Sequence, residues 1–318
     1  MNARRKIKIG VSSCLLGNTV RYDGGHKLDY NLRDTLGRYV EWAPVCPEVE
    51  AGFSVPREPM RLIGDAGSLR LVAVPTGVDQ TRTLSRWIRS KLKQLGQENI
   101  CGFVFKARSP SCGVHDTKIF APSGRLIGRG AGVFAAEVLT RFASLPLEDE
   151  DRLQDRGITE NFIERVFVYQ RWRQLKEKSG KVGDLISFHS EHKYLIMSHS
   201  VKHLKELGAL VSNAKKYTRP MLFEKYSQIL MEGLRLTATR KKHTNVLQHM
   251  AGYFKKQLTS GEKKELLDVI TLYNKGLIPL VAPITLIQYY TGKYGEPFLN
   301  QQHYLNPHPL ELMLRNHV

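Results

Sequence analysis

The sequence lacks several features that would assign it to a common class. No apolar run approaches the roughly 20 residues that a membrane-spanning helix needs. The basic N-terminal segment "MNARRKIKIGVSSC" has an apolar part that is too short and too polar for a signal peptide. No two cysteines have the CxxC spacing of zinc fingers or ferredoxins. These absences predict a cytoplasmic chain with reduced thiols, no membrane partner and no obligate protein partner.

Acidic residues are also scarce relative to basic ones. The 318 residues include 48 Lys and Arg against 30 Asp and Glu, which gives a net charge of +18. Residues 1–150 contribute +7 and residues 151–318 contribute +11, so both halves are basic. A charge of this size favours a polyanionic partner such as a nucleic acid, because bound phosphates release their counterions. A basic protein without such a partner is the alternative.

The first half alternates strand and helix patterns and is predicted to be an α/β domain with a mostly parallel sheet, over residues 1–145. The helical spacing of apolar residues over 84–95 predicts a helix that Gly96 ends. The predicted strands are 7–12, 40–45 and 100–106, with hairpins at 61–74 and 118–128.

The second half has long helical patterns and few strand signals. The charged segment 146–160, which includes "PLEDEDRLQDRG", is predicted to be a linker. An all-α, basic domain is predicted over 161–318. Within it, Thr259 and Glu262 have the spacing of a capping box, and Gly276 marks the end of the helix that follows.

Three of the four cysteines occur in similar local sequences. Cys14, Cys46 and Cys112 each follow a predicted strand and are flanked by Ser, Pro or Gly. Turns after parallel strands converge at the carboxyl edge of a sheet, so these thiols can meet and bind one metal centre, with flanking Lys and Arg favouring thiolates. Small neighbours would let the backbone approach that centre closely. The alternative is three unrelated small residues in turns. Cys101 lies inside an apolar strand and is predicted to be a core residue.

The three cysteine-containing segments together resemble a known family. "VSSCLLGNTVRYDGGHK", "PVCPEVEAGFSVPREP" and "KARSPSCGV" are similar to the signature blocks of TudS-like thiouridine desulfidases, in the same order. "RKKHTNVLQHMAGYFKK" and "QQHYLNPHPLEL" resemble segments of a separate helical domain. The combination resembles the RudS-type desulfidases, which act on 4-thiouridine in tRNA.

The resemblance implies a [4Fe-4S] cluster held by Cys14, Cys46 and Cys112. It also implies a non-redox reaction that replaces C=S on thiolated uridine by C=O. That reaction needs an acid or base beside the cluster, and Glu48 lies two residues after Cys46. Capping of a turn or an ion pair with Arg57 are the alternative roles of Glu48.

Further residues near the cysteines are candidates for proton relay or substrate binding. The serines Ser109, Ser13 and Ser111 can donate hydrogen bonds to substrate or relay protons, with Ser109 favoured. The predicted substrate-binding residues are Arg21, Tyr22, Asp23, Lys27 and Arg57. Tyr22 can stack on a flipped base, and Asp23 can hold a ribose or a base edge.

The helical half concentrates basic residues around positions 235–256. The predicted RNA contacts are Arg235, Arg240, Lys241, Lys242, Lys255 and Lys256, near the aromatic residues Tyr253, Tyr273, Tyr289, Tyr290 and Tyr294. We therefore expect a tRNA-binding domain, although a solvated helix face with core tyrosines is the alternative.

Three functions remain open at this point. The first is desulfuration of 4-thiouridine in tRNA, and the second is desulfuration of 2-thiouridine or free thiouracil. The third is a non-catalytic iron–sulfur protein that senses redox state and binds RNA or DNA. The acidic and hydroxyl residues around the cysteines favour an enzyme, since a sensor needs no proton relay.

Overall fold

The computed structural model describes residues 6–64, 69–178, 180–309, 312 and 314–316. The chain forms two compact units, Met1–Gln154 and Asp155–Val318. The first is α/β and the second is helical, as the sequence predicts.

The first unit contains two four-stranded sheets. The strands are β1 Ile7–Ser12, β2 Val40–Val45, β3 Met60–Ile63, β4 Arg70–Ala73, β5 Phe103–Phe105, β6 Thr117–Phe120, β7 Leu126–Gly130 and β8 Leu147–Asp149, and the helices are α1 Pro47–Glu50, α2 Thr81–Gln97 and α3 Val133–Arg141. The first sheet has the order β2-β1-β5-β8, and all its pairs are parallel. This confirms the predicted parallel sheet.

The second sheet has the order β4-β3-β6-β7 and is mixed. Both predicted hairpins are present, because β3 pairs with β4 and β6 with β7 in antiparallel fashion. The middle pair, β3 and β6, is parallel. Local patterns predicted the hairpins, but nothing local indicated that they would join into a sheet of their own.

The core of the first unit is aromatic. The rings of Phe103 and Phe105 stack with centroids 4.1 Å apart, and Phe134 of α3 packs edge-on against both. The strand is shorter than the predicted 100–106, although Ile100 and Cys101 are also buried. Helix α2 continues through Gly96 to Gln97, so the predicted stop is wrong by one residue.

The segment 146–160 contains the division between the two units, after Gln154, but it is not an unstructured linker. Leu147–Asp149 forms β8 at the edge of the parallel sheet, and a helix begins at Arg156. Asp149 is buried and accepts hydrogen bonds from the backbone N–H groups of Val114 and His115, at 2.9 and 3.1 Å. The acidic residues of β8 therefore serve internal bonding, whereas Asp151 and Asp155 are exposed.

The second unit is built from helices. They are α4 Arg156–Lys178, α5 Val182–Glu191, α6 Lys193–His199, α7 Val201–Ser212, α8 Arg219–Arg235, α9 Arg240–Ala251, α10 Ser260–Asn274, α11 Val281–Tyr294 and α12 Pro297–Asn300. Trp172 of α4 stacks on Tyr226 and Phe223 of α8 at the centre of the core. The capping box of Thr259 and Glu262 is present at the start of α10.

None of the helices that the structure describes combines the length and apolar character that crossing a bilayer requires.

Candidate functional site

Three cysteines line a single cavity at the carboxyl edge of the parallel sheet. Cys14 follows β1, Cys46 follows β2 and Cys112 lies in the loop after β5, and these three strands are adjacent in the sheet. All three residues contribute to the wall of one cavity of about 240 Å³. The structure thus brings together residues that are 32 and 66 positions apart in sequence. Their role as metal ligands stays a prediction.

Local structure holds each cysteine in its turn. Cys14 lies in a 3₁₀ turn, Ser13–Leu16, that Gly17 ends with a φ of 94°. Cys46 is the N-cap residue of α1, and its backbone N–H donates to Glu50 Oε1 at 3.0 Å. Glycine is required after Cys112 because a Cβ on Gly113 would lie 2.3 Å from Thr117 Oγ1. The packing of the loop itself, rather than approach to a metal centre, therefore explains this glycine.

Burial raises the pKa of each of these thiols. The pKa of Cys14 is raised to about 11 and that of Cys46 to about 12, while that of Cys112 is raised well above its usual value. Lys106 and Arg21 lower the pKa of Cys14, but desolvation outweighs them. The predicted effect of flanking cations is therefore present at Cys14, but it is smaller than the opposing effect of burial.

Cys101 belongs to the core, as predicted. It is 5% exposed, does not line the cavity, and its thiol donates to the carbonyl of Asn99 with an S–O distance of 3.6 Å.

Glu48 is buried at the wall of the cavity. The hydroxyl of Ser111 donates to its Oε1 at 2.6 Å, and the thiol of Cys46 donates to its Oε2 at 3.5 Å. Arg57 Nη2 lies 3.7 Å from the same Oε2. The ion pair considered as the alternative role is therefore present, and the carboxylate also contacts a candidate ligand cysteine.

The serines form a hydrogen-bonded chain that ends on Glu48. Ser109 Oγ and Ser111 Oγ are 3.0 Å apart, and Ser109 Oγ also accepts from the backbone N–H of Cys112 at 3.2 Å. Ser109 lines the cavity, whereas Ser111 is fully buried behind it. Ser13 lines the cavity too, but its hydroxyl accepts from Asn18 Nδ2 at 2.7 Å. The arrangement links Ser109 and Ser111, rather than Ser13, to the carboxylate.

The predicted substrate-binding residues divide into two groups. Arg21, Tyr22 and Arg57 line the cavity, and Arg21 Cζ lies 5.4 Å from the ring centroid of Tyr22. Asp23 does not line it: its carboxylate accepts from the backbone N–H of Gly25 and lies 3.5 Å from Arg21. Lys27 is exposed away from the cavity wall. Asp23 therefore positions a turn and Arg21, and neither it nor Lys27 faces the cavity.

Sequence reasoning missed three polar or charged residues of the cavity wall. Ser12, counted only as a strand end, accepts a hydrogen bond from the backbone N–H of Lys106 and lowers the pKa of Cys112. Lys106 lines the cavity and forms a close ion pair with Glu150. Arg108 also lines it, with a positive φ of 59°. Lys106 and Arg108 belong to the "KARSPSCGV" segment, which was the available signal.

The predicted RNA-binding residues of the second unit are not all alike. Arg235, Arg240, Lys241, Lys255 and Lys256 are exposed. Lys242 instead points inward, where its Nζ donates to the carbonyls of His199 and Thr237 at 2.7 and 2.8 Å. Lys242 therefore joins segments of the unit and does not belong to the exposed basic surface.

The tyrosines near that surface are mostly structural. Tyr273 and Tyr290 are buried in the core, and Tyr253 and Tyr294 pack against it. Tyr289 is 60% exposed and is the member of this group whose ring is open to solvent.

Two family models match the chain. One, described as 2-thiouracil desulfurase, covers residues 9–150, and the other, described as a protein of unknown function (DUF1722), covers residues 193–309. The matches divide the chain as the two units do.

Two curated relatives and one solved structure are similar to this chain. The uncharacterized protein YbgA of Escherichia coli (strain K12) is 31% identical over 153 residues, covering 48% of this chain and 90% of YbgA. The uncharacterized protein YbbK of Bacillus subtilis (strain 168) is 32% identical over 153 residues, covering 46% of this chain and 97% of YbbK. The solved structure, of a [4Fe-4S]-dependent thiouracil desulfidase, TudS, is 33% identical, with a TM-score of 0.38, and covers 48% of this chain and 94% of that one. By its relatives and the family model over residues 9–150, the chain belongs to the 2-thiouracil desulfurase family.

Proposed function

We propose that the protein removes sulfur from 4-thiouridine in tRNA and leaves uridine, without a net change of oxidation state. The observation that carries this proposal is the single cavity lined by Cys14, Cys46, Cys112 and Glu48. Family membership supports desulfuration as the reaction. The similar solved structure belongs to a [4Fe-4S]-dependent thiouracil desulfidase, and we propose the same cofactor for this chain.

The residues present fit a three-cysteine iron–sulfur cluster. The three thiols are free, buried and gathered at one wall, and burial has raised the pKa of each. Such thiols become thiolates when a metal supplies the compensating charge. Cys14, Cys46 and Cys112 would hold the cluster, which would supply Lewis acidity towards the substrate sulfur. Free thiols also fit a reducing cytoplasm.

Glu48 is the group that moves a proton in this proposal. Ser111 holds Oε1, so Oε2 is the oxygen that faces Cys46 and accepts a proton from the attacking water. The water oxygen bonds to the pyrimidine carbon as the C–S bond breaks. Glu48 passes its proton to the departing sulfur and the second water proton follows, so that the products are a carbonyl and hydrogen sulfide. Ser109 and Ser111 keep the carboxylate oriented.

Arg21, Tyr22 and Arg57 are the proposed substrate contacts. Tyr22 is partly exposed at the cavity, where its ring can stack on a base that has left its helix. The guanidinium groups of Arg21 and Arg57 supply positive charge for an anionic or carbonyl-bearing nucleotide.

The helical unit is the proposed tRNA-binding module. Its half of the chain contributes +11 to the net charge, and Lys241, Lys255 and Lys256 are exposed on it. Arg240 and the open ring of Tyr289 complete the proposed surface. Exposed cations contact phosphates, and an exposed aromatic ring stacks on unpaired bases.

A second candidate is desulfuration of free thiouracil or of 2-thiouridine. The description of the matching family model, 2-thiouracil desulfurase, favours it. A non-catalytic iron–sulfur sensor is a third candidate, but it gives no role to the Ser109–Ser111–Glu48 chain. Replacing Glu48 with Ala distinguishes the two: an enzyme keeps its cluster and loses turnover, whereas a sensor keeps both its cluster chemistry and its output.

The experiment is nucleoside mass spectrometry of thiolated tRNA after anaerobic incubation with cluster-reconstituted protein. Loss of 4-thiouridine with an equal gain of uridine supports the proposal. Loss of 2-thiouridine alone would replace the substrate and keep the chemistry. If neither nucleoside changes while the iron is present, desulfuration of tRNA is wrong, and free thiouracil is assayed next.

A further inference from the structure

Helix α2 of the first unit carries an unusual arrangement of charge. Among its 17 residues it has five basic side chains and no acidic one. Four of the five are exposed, and their spacing of four, three and four residues places them on one face. We call this face the α2 cation stripe; its members are Arg82, Arg86, Arg89 and Lys93.

The α2 cation stripe opposes the stability of its own helix. Like charges at i,i+3 and i,i+4 repel, and the stripe contains three such pairs in succession. Arg82 also lies in the first turn, where the helix dipole disfavours a cation, although Asp79 Oδ1 accepts from the backbone N–H of Thr81 at 2.9 Å at that end. An arrangement that is locally unfavourable indicates a surface selected for a ligand rather than for folding.

The inward-facing cation of the same helix shows the contrast. Lys91 is buried and its Nζ lies 3.0 Å from Glu50 Oε2. None of the four stripe residues forms an ion pair with any part of the chain that the structure describes. The buried cation Lys91 therefore has a carboxylate partner, whereas the four exposed cations of the stripe have none among the described residues.

We propose that the α2 cation stripe is a phosphate-binding surface for RNA on the first unit, separate from the helical unit. This inference rests on the proposed function, because the RNA that the stripe would bind is the tRNA substrate. Eleven residues at 1.5 Å each make the stripe about 16 Å long, which is enough to meet several successive phosphates of one strand.

The rest of the exposed face suits a nucleic acid better than an acidic protein. Beside the stripe lie Thr83 and Ser90, which are exposed and can hydrogen-bond to phosphate or ribose. None of the exposed large apolar residues of the described chain lies in α2. Protein interfaces need apolar or aromatic anchors, whereas nucleic-acid interfaces are polar and positively charged.

The test compares two full-length variants with the same change in net charge. The stripe variant is R82Q/R86Q/R89Q/K93Q. The control variant is R33Q/R70Q/R129Q/K202Q, whose cations are exposed but paired with carboxylates. Binding to an unmodified tRNA transcript is measured at several salt concentrations, together with thermal unfolding and turnover of free 4-thiouridine nucleoside.

We expect the stripe variant to bind tRNA more weakly than the wild type. The slope of log affinity against log salt should be smaller in magnitude by about 3, because four phosphate contacts are lost and each contributes about 0.7–0.9. The control should change that slope by less than 1. The melting temperature of the stripe variant should equal or exceed that of the wild type, because repulsion within α2 is removed. Nucleoside turnover should be unchanged.

Equal losses of affinity in the two variants, or no loss in either, would overturn the inference. Loss of nucleoside turnover in the stripe variant would also overturn it, because α2 would then act on the cavity through Lys91 and Glu50. A wild-type protein that fails to bind tRNA but converts the free nucleoside would refute the tRNA substrate and the stripe while leaving the desulfuration chemistry intact.

Discussion

Each unit buries a glutamate, and the two glutamates have different surroundings. In the helical unit, Glu164 Oε2 lies 3.0 Å from His199 Nε2, and Glu164 Oε1 accepts from Arg315 Nη2 at 2.8 Å. In the α/β unit, Glu48 Oε1 accepts from Ser111, but Oε2 has only the thiol of Cys46 at 3.5 Å and Arg57 at 3.7 Å. Both oxygens of Glu164 are bound tightly, whereas one oxygen of Glu48 has only distant partners beside a cavity.

The difference separates a structural carboxylate from a reactive one. Burial raises the pKa of Glu164, but the His199 hydrogen bond and the charge of Arg315 hold it well below its usual range. Glu160, one turn earlier, shows the opposite balance, because burial and the charge of Glu164 raise its pKa to about 7 despite Arg315. A carboxylate whose oxygens are both saturated has no capacity left for a substrate, which is consistent with a structural role for Glu164 and with the catalytic role proposed for Glu48.

The largest expected effect comes from removing a candidate ligand. Cys112→Ser should reduce bound iron and desulfuration to background, because two thiolates do not hold a cluster that needs three. Cys101→Ser is the matched control, since Cys101 is equally buried but lies outside the cavity. Iron content and turnover are measured after reconstitution. Loss of iron in the Cys101 variant with retention in the Cys112 variant would reverse the assignment.

Glu48→Gln should lower turnover by about 10²–10⁴-fold, the range for loss of a general acid or base, while iron content stays constant. Single-turnover kinetics with 4-thiouridine nucleoside measure the effect. Glu41→Gln, at an exposed position of β2, is the control and should leave turnover unchanged. Full activity of the Glu48 variant would exclude Glu48 from proton transfer.

Glu164→Ala should have the opposite effect to Glu48→Gln: it should lower stability and leave turnover unchanged. It leaves the buried charge of Arg315 without its closest partner, so the free energy of unfolding of the helical unit should fall by about 3–5 kcal/mol. Turnover of the free nucleoside by the folded protein should not change. Chemical denaturation followed by helical circular dichroism measures the loss. Glu232→Ala, at an exposed carboxylate near His203, should lower the free energy of unfolding by less than about 1 kcal/mol. If both variants lost the same stability, burial of Glu164 would not explain its effect.

The smallest expected effect is on the pH dependence of stability, which the buried histidines of the helical unit cause. Burial lowers the pKa of His243 to about 3, and its Nδ1 lies 2.9 Å from the hydroxyl of Tyr304. As pH falls below about 6.5, the unfolded chain binds a proton that the folded chain does not, so stability falls by up to about 1.4 kcal/mol per pH unit for this residue.

His243→Gln should reduce that pH dependence between pH 6.5 and 4 even if it lowers stability at every pH. Thermal unfolding at several pH values measures the slope. His26→Gln, at an exposed residue, should leave the slope unchanged. A slope that is the same in the wild type and the His243 variant would show that His243 is protonated in the folded state.

Sequence patterns predicted the local elements well where local physics decides them. The bounds of β1 and β2 agree residue for residue with the apolar runs, and the capping box of Thr259 and Glu262 forms as predicted. The prediction for 146–160 failed because amino-acid composition shows that residues are polar but not which groups they bond to. Asp149 and Glu150 are buried against backbone N–H groups and a cation that are distant in sequence.

The residues of the candidate site also divide into those that local sequence predicted and those that packing decided. The cysteines and Glu48 were predicted because each stands in a distinctive turn. The inward direction of Lys242 and the position of Ser12 beside Cys112 depend on packing that no local pattern records. Asp23 and Lys27 were grouped with Arg21 and Tyr22 by adjacency in sequence, although only the latter two line the cavity.

The sequence by itself determined the α/β and helical halves, the positive charge and the identity of the candidate ligands, because periodicity and residue chemistry are local properties. Tertiary structure alone decided that Ser111 and Arg57 meet Glu48 and that Glu164 is neutralised by Arg315. It also decided that four cations of α2 form no ion pair with the residues that the structure describes. Those outcomes depend on which distant groups share a low-dielectric interior or a common surface, and only the folded chain fixes these neighbours.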